Sequence, residues 1–196
     1  MFIPGTIALI LMLVSAIMTS ISIAREKELG TMEVLLVSPL KPIQIILGKV
    51  APYVLLSFIN AIVILILGYL VFHIPVRGSI TLFMVINLLY IILALSLGIL
   101  ISTFSNSQQT AMFVSMFALM LPTMLLSGFI FPIENMPKLL QLLSNIMPAR
   151  WFLAIIKNIM IKGTGLFYVW KETLVLIGFI VLFITISTKK FKYRLE

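Results

Sequence analysis

The feature that most limits the fold is residues 78–133, a run without a single Asp, Glu, Lys, Arg or His. The run is 56 residues long, whereas one membrane-spanning helix needs about 20 apolar residues to cross about 30 Å of hydrocarbon. It therefore predicts two spans, and the polar stretch 105–109 predicts the turn between them. The chain is 62% hydrophobic with a mean hydropathy of +1.23, which excludes an ordinary soluble domain.

Three further uncharged runs, residues 1–24, 50–72 and 173–188, predict the remaining spans. The last run has only 16 residues, so we expect it to extend back over residues 166–170. These three spans and the two spans of the long run predict an all-α membrane protein with five transmembrane helices. The expected spans are 4–24, a second ending near Phe72, 80–103, a fourth ending near Pro132, and 173–188 with its extension.

The positions of Lys and Arg predict the orientation in the membrane. Because an odd number of spans puts the termini on opposite sides, one side carries loop 25–49, the turn at 105–109 and the tail, with eight basic residues. The other side carries six, and they are less tightly clustered at span ends. Basic residues near span ends favour the cytoplasm, so we expect the N-terminus outside and the tail in the cytoplasm.

The residue content excludes several kinds of active site. The chain has no Cys and no Asp, which excludes thiolate metal sites and cysteine nucleophiles. A single histidine, His73, excludes the HExxH zinc motif and any His-rich metal cluster. We therefore expect no catalytic residue, no metal ion and no cofactor bound by this chain itself.

Two other catalytic readings fail on spacing. A membrane serine protease would need Ser127-Gly128 on a glycine-rich turn, but Leu125 stands where the preceding glycine is required. Gly48-Lys49 lacks the other residues of a phosphate-binding loop, so no ATPase site is expected. The net charge of +8 comes from residues at span ends and in one loop, which favours the membrane lipid surface and argues against nucleic acid.

Two polar side chains, Asn60 and Asn87, lie inside predicted spans. Such residues usually make hydrogen bonds between helices, and the alternative is that they line a substrate pathway. No acid or base lies in the middle of a span, which argues against a proton-coupled transporter. Transport by this chain would therefore need another source of energy.

The loop after the first span has the pattern of a short interfacial helix. Its charges come first, its apolar residues follow over 32–37, and Gly30 breaks the preceding helix. Thr31 is the expected N-cap, Glu33 lies near the positive helix end, and Pro39 is the expected stop. Pro42 then suits the first turn of the second span.

The region between spans four and five predicts two short helices. Pro137 opens the first, which we expect Pro148 to stop, and residues 150–162 form the second, closed by Gly163. The first is too short to cross a bilayer, and basic residues recur through both. They are expected to lie in, or dip into, the outer leaflet as a re-entrant pair.

Three motifs resemble those of a known family. Residues 25–39 read REKELGTMEVLLVSP and are followed by Gly48-Lys49, residues 126–141 read LSGFIFPIENMPKLLQ, and residues 2–5 read FIPG. They resemble, in order along the whole chain, the RE-x-E-x-GTxExLLxSP, LSGxIxPxENMPxxLQ and F-x-P-G signatures of ABC-2 type permeases. These are the membrane subunits of a class of ABC exporters, and the match is nearest to the bacterial multidrug-type branch.

The resemblance implies a coupling helix in the first cytoplasmic loop that contacts a separate ATP-binding subunit. The matching residues are Glu26, Glu28, Gly30, Thr31 and Glu33. A short rigid helix with exposed carboxylates can be moved by a partner, whereas without the resemblance it would be read as a plain surface helix. ATP would be bound by the partner, and the two outer-leaflet helices would lie near the exit of the pathway.

The resemblance also implies a domain organisation. Residues 1–196 correspond to an ABC-2 type transmembrane domain that lacks the family's first span and its extracytoplasmic domain. The implied function is ATP-driven export from the bacterial inner membrane by a homo- or heterodimer of permease subunits. The alternative is a membrane scaffold or channel-like subunit without ATP coupling. A neighbouring gene for a soluble ATPase would favour the exporter.

Overall fold

The computed structural model describes residues 2–31, 42–72 and 77–192, and within them it contains helices and no strand. Five helices are long and apolar enough to cross a membrane, which confirms the predicted all-α fold with five spans. They are α1 (Phe2–Glu28), α2 (Pro42–Phe72), α3 (Ile80–Phe104), α4 (Gln108–Leu126) and α7 (Leu166–Lys192).

Local signals set most of these boundaries. The side chain of Ser79 accepts a hydrogen bond from the amide of Leu82 and caps α3. Ser107 caps α4 in a reciprocal capping box with Thr110. As expected, α2 begins at Pro42, and α7 includes the predicted extension back to Leu166.

Two boundaries differ from the prediction. The first helix does not stop at Ala24 but continues for another turn to Glu28. The fourth ends at Leu126 and not near Pro132, because Gly128 has a φ of +80° and so takes a left-handed conformation that ends a helix. The residues up to Pro132 therefore form an irregular turn outside the span.

The centre of the bundle is the crossing of α1 and α3. Gly98 lies against α1 so closely that a Cβ placed on it would stand 2.6 Å from the carbonyl oxygen of Ala16. Small residues let membrane helices approach at backbone distance, where their packing is most favourable. Both helices are more than half buried, whereas α2, α4 and α7 keep most of their surface exposed.

Serine hydroxyls join the spans inside the bundle. Ser15 on α1 donates a hydrogen bond of 2.8 Å to Ser57 on α2. Ser20 on α1 and Ser115 on α4 share a hydrogen bond of 2.7 Å. The first span is thus bonded to two of its neighbours through side chains that lie in otherwise apolar segments.

The helices alternate in direction, so the bundle has two chemically different ends. The basic end contains the C-termini of α1, α3 and α7 and the N-termini of α2 and α4. The far end contains the opposite termini and the short helices α5 (Lys138–Ser144) and α6 (Pro148–Lys157), followed by a π-helical turn at Asn158–Lys162. The charge distribution predicts that the basic end is cytoplasmic.

The two predicted short helices are present, but the end of the first and the start of the second are shifted. The first helix, α5, ends at Ser144, and Pro148 is the first residue of α6 and not the stop of α5. Proline suits this first position because it has no amide hydrogen to leave unbonded. Gly163, with a φ of +68°, ends the second helix as expected, and the pair is bent by 86°. Its location in the outer leaflet stays a prediction.

The far end is held by packing of α6 against the spans. The ring of Phe152, fully buried, stacks on Tyr90 of α3 with 3.7 Å between the ring centroids. The amide of Arg77 donates to the carbonyl oxygen of Met160 at 3.3 Å. Gly78 lies under Ile159, where a Cβ would stand 2.6 Å from the Ile159 carbonyl oxygen. These contacts hold α6 and the π turn beside the start of α3.

One predicted element lies outside the described residues. The interfacial coupling helix was expected between Gly30 and Pro39, and the structure describes the chain only up to Thr31 and again from Pro42. Glu33 and Pro39 fall in this gap, and His73 falls in the gap before Arg77.

Candidate functional site

The candidate site lies where α1 ends, directly before the predicted coupling segment. The helix stops in a tight turn, in which the amide of Leu29 bonds to the carbonyl oxygen of Arg25 at 3.0 Å and that of Gly30 to Lys27 at 3.3 Å. Gly30 has a φ of +71°, a conformation that other residues rarely adopt. The turn therefore fixes the direction in which the chain leaves α1.

Glu26 links this turn to the second span. Its carboxylate forms an ion pair of 2.5 Å with Lys49 of α2, and the two side chains are only 27% and 23% exposed. The hydroxyl of Thr31 donates to the same carboxylate at 2.5 Å. Glu26 therefore holds both the first residue after the turn and the second span, through Lys49.

Lys27 links the same turn to the third span. Its amine donates a hydrogen bond to the backbone carbonyl of Ser102, which lies in the last turn of α3. The final carbonyls of a helix lack partners within the helix, and the helix dipole favours a positive charge at that end. Lys27 thus occupies the position where a cation stabilises α3.

Glu28 links the turn to the fourth span. Its carboxylate accepts hydrogen bonds from the backbone amide of Gln108 at 2.9 Å and from the Gln108 side-chain amide at 3.1 Å. Gln108 is the first residue of α4. The first amides of a helix lack partners within the helix, and the dipole there favours a negative charge. Glu28 thus completes the N-terminus of α4.

We call Glu26, Lys27 and Glu28, with Lys49, Ser102 and Gln108, the α1 terminal cluster. Three consecutive side chains bind three different helices, so a displacement of the α1 end would be transmitted to α2, α3 and α4 together. The cluster has no nucleophile paired with a base, and its geometry suits mechanical linkage. Among the described residues, no group of three His, Asp or Glu could hold a metal ion.

The structure brings four of the five predicted contact residues together. Gly30 and Thr31 are exposed, and Glu28 is exposed while bonded to Gln108. Glu26 is mostly enclosed by its ion pair, so it faces α2 and is less free than the expected exposed carboxylate. Glu33 lies outside the described residues. Their contact with an ATP-binding subunit stays a prediction.

The two predicted pathway residues are placed differently. Asn87 is fully buried in α3, where its amide nitrogen donates to the Phe83 carbonyl oxygen at 2.7 Å. Its amide oxygen has no hydrogen-bond partner among the described residues. Asn60 is half-buried on α2. Asn87 is thus enclosed by this chain's own helices in this arrangement, and a pathway role for either residue stays a prediction.

Sequence reasoning missed four members of the cluster, Lys27, Lys49, Ser102 and Gln108. The last two lie 75 and 80 residues from their partners along the chain. A signal was present, because each charge at the end of α1 suits the dipole of a helix end that reaches the same side of the membrane. The topology brings the ends of α1, α3 and α4 to the same side of the membrane, but the sequence does not show which of these ends lie next to each other.

Comparison with known proteins gives a family match over nearly the whole chain. The family model described as "ABC-2 family transporter protein" matches residues 1–189. A protein of Escherichia coli K12 named "Probable multidrug ABC transporter permease YbhR" is 41% identical over 170 residues, which cover 87% of this chain and 46% of that protein. No solved structure matches.

Two further relatives from the same organism are similar over almost all of this chain. "Probable multidrug ABC transporter permease YbhS" is 34% identical, covering 99% of this chain and 52% of the relative. "Inner membrane transport permease YhhJ" is 31% identical, covering 96% and 51%. The chain thus spans about half the length of these relatives. Together with the five spans, they confirm the predicted location in the bacterial inner membrane.

Proposed function

This chain belongs to the ABC-2 family of transporter proteins, and we propose that it forms part of the membrane permease of an ABC transporter and exports amphipathic, drug-like or lipid molecules from the cytoplasm. The names of the relatives YbhR and YbhS include the word multidrug, which supports a broad amphipathic substrate class. The interior of the bundle supports it too, because its polar groups are mostly hydroxyls and amides without charge.

The proposed assembly contains a separate ATP-binding subunit and a second permease subunit. The partner supplies ATP hydrolysis, since the only Gly-Lys pair suited to a phosphate loop lacks the rest of that motif. A second permease would cover the apolar face of α4, which exposes Phe113, Phe117 and Leu121 at helical spacing. The second subunit is either another copy of this chain or a related one.

The α1 terminal cluster is the observation that carries the proposed mechanism. A coupling helix between Gly30 and Pro39, moved by the ATP-binding subunit, would pull on the turn at Gly30 and Thr31. The turn is bonded through Glu26 to α2, and the neighbouring Lys27 and Glu28 bind α3 and α4. A displacement would therefore reach four spans at once.

The test uses the permease reconstituted with its ATP-binding subunit in lipid vesicles. The double variant Glu26→Lys with Glu28→Lys should abolish the stimulation of ATP hydrolysis by transported substrate. Reversal puts a positive charge beside Lys49 and another at the N-terminus of α4, where the helix dipole disfavours it. Stimulation that stays at the level of the unmodified protein would show that the turn is only a surface anchor.

A charge swap separates linkage from direct contact. Glu26→Lys combined with Lys49→Glu recreates the ion pair in reverse, and we expect it to recover stimulation that Glu26→Lys alone has lost. No recovery would mean that the Glu26 carboxylate itself touches the partner. Glu134→Lys is the matched control, because Glu134 is an exposed carboxylate at the far end of the bundle.

A further inference from the structure

A groove of about 490 Å³ lies between α2, α3 and α7 and belongs to none of the features described above. Its volume falls within the range of about 300–1,000 Å³ that is typical of small-molecule sites. It is lined by Val50, Ala51, Val54, Leu88, Ile92, Leu95, Ser96, Ile99, Ile184, Ser187 and Thr188.

The walls of the groove present hydrocarbon. The hydroxyl of Ser96 donates to the Leu93 carbonyl oxygen at 2.6 Å, and that of Thr188 to the Ile184 carbonyl oxygen at 2.9 Å. Both hydroxyls are thus bonded within their own helices. Ser187 is the third lining residue with a hydroxyl, and the other eight lining residues are Ala, Val, Leu or Ile. A ligand in this groove must therefore be apolar along most of its length.

The groove opens laterally, toward the surrounding lipid bilayer. Leu88 and Ile92 are 36% and 38% exposed, although α3 is the most buried span of the bundle. They lie one helical turn apart on the side of α3 that faces the gap between α2 and α7. These two helices make few contacts with each other, so the gap is not closed.

The length of the groove on α3 is close to the thickness of the hydrocarbon of one leaflet. On α3 its lining runs from Leu88 to Ile99, which at 1.5 Å per residue is about 16 Å. Half of the bilayer's hydrocarbon is about 15 Å. The groove reaches the basic end, because its lining includes the residues directly beside Lys49 on α2 and Lys189 on α7.

We propose that this groove binds one acyl chain of an anionic glycerophospholipid from the leaflet at the basic end, with the lipid phosphate beside Lys189. An acyl chain supplies the apolar length, and the leaflet supplies it at the right depth. Lys49 is already paired with Glu26, whereas Lys189 is exposed at the rim. The proposal depends on the five-span fold and is independent of the coupling to an ATP-binding subunit.

The test is photolabelling of the full chain in vesicles of phosphatidylcholine containing phosphatidylglycerol with a diazirine in the middle of one acyl chain. Labelled positions are mapped by mass spectrometry. We expect the label on Ile92 and Val54 to exceed that on Leu56 of α2 severalfold, because Leu56 is 51% exposed but lies outside the groove. Equal labelling of the three residues would reduce the groove to ordinary bilayer contact and overturn the proposal.

Two variants test the acyl chain and the headgroup separately. Ile92→Trp fills the groove and should remove its label, whereas Leu56→Trp on the open face of α2 should not. Lys189→Gln should lower labelling about fivefold, since one basic residue near anionic lipid contributes about a fivefold change in binding. Undiminished labelling in Ile92→Trp would contradict binding of the acyl chain in the groove. Equal labelling by a neutral diazirine lipid would contradict recognition of the anionic headgroup.

Another occupant would be a helix of a second polypeptide. The chain has no Cys, so Ile92→Cys can be tested alone for cross-linking to a neighbouring protein. Cross-linking to protein in place of lipid would overturn the proposal and assign the groove to a subunit contact.

Discussion

The two ends of the bundle are held together by different forces. At the basic end, consecutive charged side chains of α1 bond to three other helices, at the C-terminus of α3, at the N-terminus of α4 and at Lys49 within α2. At the far end, α6 packs an apolar face against the spans, and the stack of Phe152 on Tyr90 is its centre. Directional bonds fix which helix ends move together, whereas packing fixes shape. This difference between the two ends suits a protein whose helices are displaced by a partner at the basic end.

The largest effect is expected from labelling of introduced cysteines, which gives an all-or-none answer on which end of the bundle faces the cytoplasm. Gln109→Cys at the basic end and Asn145→Cys at the far end are both exposed. With an impermeant thiol reagent on intact cells, Asn145→Cys should react and Gln109→Cys should react only after permeabilisation. The reverse pattern would place the α1 terminal cluster outside the cell and remove the proposed coupling.

The next largest effect is expected from the far end. Phe152→Ala removes a fully buried ring and should destabilise the fold by about 3 kcal/mol. Thermal unfolding in detergent measures this, and Phe167→Ala is the control because Phe167 is 83% exposed. A shift no larger than that of the control would show that the far end does not depend on packing of α6.

An intermediate effect is expected at the crossing of α1 and α3. Gly98→Val places a side chain against the backbone of Ala16 and should cost about 2 kcal/mol through overpacking. Gly178→Val has the same helix-propensity change on α7, but apart from the adjoining backbone of α7 itself no atom lies within 4 Å of its Cβ position. The difference between the two melting temperatures measures the close approach, and equal melting temperatures would contradict it.

The smallest effect is expected from a hydroxyl pair. A double-mutant cycle of Ser20→Ala and Ser115→Ala should give a coupling energy of about 0.6 kcal/mol, the average for such bonds in membranes. Equilibrium unfolding in mixed micelles is the measurement. A coupling energy as large as the destabilisation expected from Phe152→Ala would mean that hydrogen bonds, too, determine the shape of the bundle.

The sequence predicted the spans because uncharged runs reveal helices that cross a bilayer. It also located Pro42 and Gly163 at helix ends, since these residues restrict or permit specific backbone conformations. It did not predict the stop at Leu126, which depends on one glycine adopting a left-handed conformation. Here, local patterns gave the helices but not every boundary.

The candidate site was predicted in part. The motif around residues 25–39 pointed to Glu26 and Glu28, but it did not show that their carboxylates bind Lys49 and Gln108. Those partners depend on which helix ends adjoin, and this is a property of packing. The groove between α2, α3 and α7 also depends on packing, because each of its lining residues, taken alone, is an ordinary residue of a membrane span.

The α1 terminal cluster also implies an order of assembly during synthesis. Lys49 emerges first after α1, Ser102 follows once the third span is made, and Gln108 comes last, 80 residues after Glu28. At about 5–20 residues per second, Glu28 waits about 4–16 s for its partner. Until then, the nascent chain keeps the Glu28 carboxylate at the membrane surface without the two Gln108 donors that bind it in the folded bundle.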